Sequence, residues 1–323
     1  MGIIPETMVS NHGITPWHRQ GTVIDRYLTG AEALILGGLD WTVNEQEVFY
    51  AKQGMFGLTY EEIENRKVLV RSDDSEALAV VSNTYEVMQN SELGDIADQL
   101  GVNVTTCGSM LGGRWPFLAC DLGESPKFDG QEGLHRWLLI TTRHDGQGSF
   151  LIAGVNARPV CENTVLIALR EGQLFYNITH RSGANERLAA AKAALVGIYN
   201  GYDEFDAEVE RLLAVQVQPG GDINFSTAME QVFGPRPEMG DDGSSRKQDN
   251  YDRRRREIVD IYLSDTCENI RDTGWGLLNA INEWEIHSQG ATKGAKRDAR
   301  TMSKTLRQQF PLTAKAQRVL VSA

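Results

Sequence analysis

Two rhythms of apolar and polar residues run along the chain. Strand-like alternation dominates up to about residue 181, and the helical period of 3–4 residues dominates from Ala184 onward. The first element is an exception. Thr29-Gly-Ala-Glu32 forms a capping box before the apolar run Ala33–Leu36 and predicts a short helix ending at Gly37-Gly38. Trp41–Ala51 mixes β-branched, aromatic and polar residues as a solvated strand does. Lys67–Ser72 and Ala77–Tyr85, joined by Asp73–Glu76, read as a hairpin. Ser91 is placed to cap a short helix, Glu92–Leu100.

Val102–Met110 and Arg114–Leu122 then form a strand pair around Gly112-Gly113. The strongest strand signals are Arg136–His144 and Ser149–Val160, which flank Asp145-Gly146-Gln147-Gly148, a turn whose glycines supply positive φ. Thr164–Leu169 fits helix and strand equally, and Leu174–Arg181 is a further strand. The longest helix follows, from Ala184 to about Ala214. The order predicts an α+β fold, a central antiparallel β-β-β-α core with additional hairpins, occupying residues 1–215. Residues 216–250 are rich in Gly, Pro, Asp and Ser and read as a linker with one helix near Ser226–Phe233. Residues 251–323 form a helical region, with helices over Tyr251–Leu263, Trp275–Ile286 and Arg297–Phe310, the last stopped by Pro311.

Composition narrows the function. The 323 residues are 41% hydrophobic and 24% charged, as expected of a globular chain with a core. There is no run of 18 apolar residues, no basic-then-apolar leader, and Glu6 stands where myristoylation needs Ser or Thr, so a soluble cytoplasmic protein is expected. Cys107, Cys120, Cys161 and Cys267 form no C-x-x-C pair, and the six histidines show no H-x-x-x-H spacing, so neither metal nor cofactor is expected. Gly108–Gly113 lacks the Gly-Lys-Ser/Thr ending of a phosphate loop and reads as a turn. Asp73-Asp74 and Asp241-Asp242 read as solvated turn residues. With no nucleophile or paired carboxylates standing out, the chain is not expected to be an enzyme.

Charge is patterned. Residues 1–133 hold eight cations against twenty carboxylates, residues 134–192 seven against four, and residues 292–323 eight against one, within a net charge of −12. A basic track on an acidic body, or surface helices of mixed sign, would each give this alternation. Alternation puts Thr141 and Arg143 on one face of their strand, Asn156 and Arg158 on one face of the next, and Asn177, Thr179 and Arg181 on one face of the third. If the faces coincide, these residues, with Arg136 at the strand start, offer guanidinium and amide donors to a phosphate backbone. Trp137, Phe175 or Tyr176 would then stack on bases. A solvated outer sheet face is the competing reading. Arg253–Arg256 are basic enough to touch nucleic acid, but successive residues turn by about 100° and cannot share one helix face. The basic stretch Lys293–Arg307 is a similar candidate.

Thr15-Pro16-Trp17-His18, Gly38-Leu39-Asp40-Trp41, Val80–Tyr85, Gly112-Gly113-Arg114, Arg143-His144-Asp145-Gly146, Arg158–Thr164, His180–Gly183 and Gly274-Trp275-Gly276 occur in this order. The succession resembles the phage/plasmid-like protein family, also called domain of unknown function nine-three-two, over about residues 15–290. Two mild departures are Glu162-Asn163 in place of Asn-Asn, and Thr142 in place of the usual Ser before the His-Asp-Gly element. A more distant resemblance is to the Rad-fifty-two superfamily of single-strand annealing proteins. It implies a bacteriophage or plasmid recombination and repair protein that forms homo-oligomeric rings, binds single-stranded DNA beside the hairpin and anneals strands without ATP, alone or with a host or phage replication protein. The alternative expectation is an anti-defence or regulatory protein that uses its acidic surface to bind a partner.

Overall fold

The computed structural model describes residues 8–11, 22–125, 135–157, 164–165, 175–178, 183–239, 245–287 and 310–323. It is an α+β fold with a helical C-terminal region, as the pattern predicts.

The larger sheet is built on an antiparallel meander of β6 (Asn103–Met110), β7 (Trp115–Glu124), β8 (His135–Thr141) and β9 (Phe150–Ala157). The short strands β10 (Thr164–Val165) and β11 (Phe175–Ile178) both pair with β9, at Asn156–Ala157 and Phe150–Ala153 respectively. At the other edge β1 (Met8–Asn11) pairs antiparallel with β6 and parallel with β2 (Thr22–Ile24). A smaller sheet holds β3 (Val43–Gly54), β4 (Gly57–Arg71) and β5 (Ala77–Ser82). The expected hairpin of Lys67–Ser72 with Ala77–Tyr85 is therefore β4 with β5. The pairing of β4 with β3, and the extension of β4 back to Gly57, were not read from the sequence.

Helix α1 (Gly30–Leu36) starts at the expected box: the Glu32 amide donates to Thr29 Oγ1, and the Thr29 amide to the Glu32 carboxylate. Helix α2 (Asn90–Leu100) is capped by Gln89 instead of Ser91. The Gln89 amide donates to Glu92 at 3.1 Å, while the Gln89 side chain pairs with the backbone of Val43 through bonds of 2.8 and 3.0 Å. Gly30 and Gly94 let α1 and α2 touch backbone to backbone, since a Cβ on Gly30 would lie 2.2 Å from the Gly94 carbonyl oxygen.

One face of the meander carries Val104, Cys107, Leu118, Cys120, Leu138, Ile140, Phe150 and Ile152 into the main core, beneath α1, α2 and the first half of α3 (Ala184–Ala214). The other face carries Trp115, Phe117, Trp137, Leu139, Leu151, Ala153 and Val155, also buried. The second half of α3 enters a separate helical core through Phe205, Val209 and Leu212. There it meets α4 (Phe225–Phe233), α5 (Arg246–Tyr262), α6 (Gly274–His287) and α7 (Pro311–Val321). The segment read as a linker supplies Val217 and Ile223, which bridge each other, to this core, together with Ala228, Met229 and Val232, which recur at helical spacing on α4. Pro311 begins α7, where its missing N–H costs nothing. The helix expected over Arg297–Phe310 lies, except for its last residue, outside the described residues.

Candidate nucleic-acid interface

The β8–β9 register decides which side chains share a face. Arg136 lies opposite Asn156, and Thr141 opposite Leu151, which in turn lies opposite Asn177 on β11. Directly opposed residues point the same way. Thr141 and Asn177 thus share one face, Arg136 and Asn156 the other, so the supposed coincidence of faces does not occur among these residues. Arg158, Thr179 and Arg181 lie outside the described residues, as does the side chain of Asn156.

Arg136 points beneath α3. Its guanidinium pairs with Asp206 and stacks over the Tyr202 ring at 4.7 Å. Burial pushes the Asp206 carboxyl up, against the pull of Arg136. The Tyr202 hydroxyl donates to the Trp137 carbonyl at 2.9 Å, so α3 is bonded to the hairpin beside that ion pair. Trp137 and Thr141 are buried, and Thr141 Oγ1 donates to the Pro116 carbonyl at 2.7 Å. Asn177 is exposed and accepts from Ser149 Oγ at 3.0 Å. Tyr176, on the helix side, lies against Gly197 of α3. As placed, Trp137 is not a stacking platform.

Strand β8 ends at Thr141, so Arg143 sits in the following turn. It pairs with Asp145, lies over the Trp115 ring at 4.3 Å, and accepts the Tyr85 hydroxyl on its carbonyl oxygen at 2.5 Å. Burial raises the Asp145 carboxyl, but Arg143 and the Gln147 amide outweigh it and hold the group below its ordinary value. The neighbouring motif residues converge on the same place. The Arg114 guanidinium donates to the carbonyls of Leu78 and Ala77 at 2.7 and 2.8 Å, and its own carbonyl accepts the His144 amide at 2.9 Å. His144 meets Trp41 edge-on at 5.8 Å, and Arg71 covers the Trp41 ring at 4.5 Å. These motifs join the small sheet to the large one, a structural role that their spacing did not reveal.

The arginine run on α5 spreads around the helix, as its rotation requires. Arg254 lies 5.4 Å from both the Phe233 and Trp284 rings, and Arg255 donates to Ser226 Oγ at 2.7 Å. Arg253 and Arg256 are exposed, as are Arg246 and Lys247. Arg246, Lys247 and Arg256 make no ion pair among the described residues. The sequence signal for this exposed set was the i, i+3 and i, i+7 spacing of Arg246, Arg253 and Arg256. An open groove of about 710 Å³ between α4 and α7 is lined by Lys315 and Arg318 together with Asp222, Asn224, Thr227 and Gln231.

Among the described residues no three His, Cys, Asp or Glu side chains come together as a metal site, and no helix is long and apolar enough to cross a membrane. Cys107 and Cys120 are fully buried, and burial pushes both thiols up, so they pack as small apolar groups.

A family model described as Domain of unknown function (DUF932) matches residues 77–309. No curated protein and no solved structure matches the chain.

Proposed function

We propose that this chain, which belongs to the Domain of unknown function family DUF932, binds single-stranded DNA and anneals complementary strands without ATP. In this reading it is a phage- or plasmid-type recombination mediator, acting as a homo-oligomer in the cytoplasm of a bacterial host. One observation carries the reading. A run of antiparallel strands, β6 to β9 with β11, is followed along the chain by a 31-residue helix whose first half lies on one face of the sheet. That is the strand-and-helix order of the annealing superfamily to which the sequence bears a distant resemblance.

In this reading the hairpin arginines divide by role. Arg136 and Arg143 are already neutralised by Asp206 and Asp145, so they fix the hairpin's position against α3 and the small sheet. Phosphate contacts in this reading then fall to Arg158 and Arg181, with the exposed Asn177 as an amide partner, while Asn156 lies on the opposite face. Annealing is tested by mixing complementary labelled oligonucleotides without nucleotide or metal. Pairing faster than the protein-free rate is expected, and an unchanged rate contradicts the proposal.

One observation favours a second reading, an interaction protein with an acidic docking surface: β3 and β4 form an exposed ribbon with five glutamates between residues 44 and 65 and Lys52 as its one cation. Failure to bind DNA together with capture of a basic protein partner would select it.

A further inference from the structure

The β3–β4 ribbon extends well beyond its sheet. Strand β5 pairs with β4 only from Arg66 to Val70, so between Glu47 and Glu62 the two strands pair only with each other. Their register sorts the side chains. Phe49 faces Glu62, Ala51 faces Tyr60 and Gln53 faces Leu58 on one side, while Tyr50 faces Glu61 and Lys52 faces Thr59 on the other. The second side is satisfied internally: the Tyr50 hydroxyl and the Lys52 ammonium both bond Glu61, at 2.5 and 2.7 Å. The first side turns aromatic and aliphatic groups to water. Tyr60 is 71% exposed, and at the turn Met55 and Phe56 are 92% and 100% exposed.

A two-stranded ribbon is marginally stable alone, and contiguous exposed apolar surface of this kind marks a docking site. The five glutamates repel a phosphate backbone, so the partner is a protein. A matching surface lies on α3. From Leu188 to Tyr202 its sole charged residue is Lys192. Ala191, Ala194, Ile198 and Tyr202 are buried in the core, leaving Ala189, Ala193, Val196 and Tyr199 as an outer apolar stripe around Lys192. Val196 is 63% exposed. Neither Glu62 nor Lys192 has an ion-pair partner among the described residues, and the two charges are opposite.

We propose that the partner is a second copy of this chain: the Phe49–Leu58–Tyr60 face of one ribbon lies on the α3 stripe of a neighbouring copy, with Glu62 opposite Lys192. Ribbon-to-ribbon pairing is disfavoured because it would set glutamate-rich surfaces together. Because the two surfaces differ, the contact is heterologous, and its repetition builds a ring or a filament. The inference rests on the self-assembly part of the function proposed above, not on DNA binding.

The test is the assembled mass of the full chain across micromolar concentrations, by light scattering and sedimentation, with folding checked by circular dichroism. Glu62→Lys and Lys192→Glu should each weaken self-association by about tenfold, roughly the 1.4 kcal/mol of one desolvated charge pair. Combining them should restore it. Tyr60→Asp and Val196→Asp should each leave a folded chain of lower mass. A monomeric wild type, a combined charge swap that stays dissociated, or an unchanged mass for Val196→Asp overturns the contact. Oligonucleotide binding on the same samples separates the two ideas. Assembly through this contact without DNA binding contradicts annealing alone, whereas DNA binding by a chain whose assembly ignores both charges contradicts the contact alone.

Discussion

The buried ring of His144 donates through Nε2 to the side-chain oxygen of Asn90 at 2.8 Å, and Asn90 passes the interaction on by donating to the Trp41 carbonyl at 3.2 Å. Because the Asn90 amide group is committed to Trp41, its oxygen faces the ring, and the proton must reside on Nε2. The relay joins the turn after β8, the start of α2 and the entry to β3. Asn90→Ala would strand both the imidazole N–H and the Trp41 carbonyl in the core. A loss of about 1–3 kcal/mol for each uncompensated group is expected, visible as a lower urea midpoint with an unchanged slope. A midpoint equal to the wild type's would show that the relay carries no stability.

Arg143 and Asp145 make a pH-dependent contribution. The Asp145 carboxyl titrates below its ordinary value in the folded chain, so its stabilisation is present above the ordinary carboxylate range and is lost as pH falls through the folded value. Arg143→Ala should therefore be destabilising at pH 7, with the gap to wild type narrowing below about pH 4. Adding Asp145→Asn should recover part of the loss at pH 7, since the uncompensated charge is gone while an acceptor for the Gln147 amide at 3.0 Å is kept. Thermal unfolding of the three proteins at several pH values checks both expectations, and a pH-independent gap would contradict them.

Helix α3 approaches the sheet closely at one point. A Cβ on Gly197 would stand 1.8 Å from the Tyr176 hydroxyl and 2.7 Å from its ring carbon. Gly197→Ala should cost about 1–3 kcal/mol, as overpacking does. Tyr176→Phe should restore part of this, because it removes the nearer atom but leaves the ring. An unperturbed Gly197→Ala variant would mean that the helix can shift freely from β11.

Much of this architecture was legible where local chemistry and tertiary packing agree. The Thr29–Glu32 box, the β8–β9 hairpin and the 31-residue α3 all carry their signals within one segment. What was missed depends on distant partners. Ser91 was a plausible cap, but Gln89 is held by Val43, nearly fifty residues earlier, and wins the position. Residues 57–66 carry charges that hide a strand, and it is pairing of residues 57–62 with β3 and of Arg66 with β5 that makes them one. Alternation within a strand does not say how faces match between strands, because register fixes which faces coincide, and β8 ends at Thr141, which takes Arg143 out of the alternation altogether. For that reason the proposed basic face split, with Arg136 turned toward α3 and Thr141 away from it.

The most direct measurement is equilibrium binding of a single-stranded oligonucleotide and its duplex at two or more salt concentrations. It would use the wild type, an Arg158→Ala/Arg181→Ala variant and an Arg253→Ala/Arg256→Ala variant. An acidic protein holds phosphates only through a local basic track, and each single-strand contact contributes about −0.7 to the slope of log affinity against log salt. Tighter binding to the single strand than to duplex is expected. The hairpin variant should bind more weakly with a slope flattened by about 1.4, and the α5 variant should show a smaller effect. Unchanged affinity and slope in the hairpin variant, or no single-strand binding by the wild type at low salt, would contradict the proposed function.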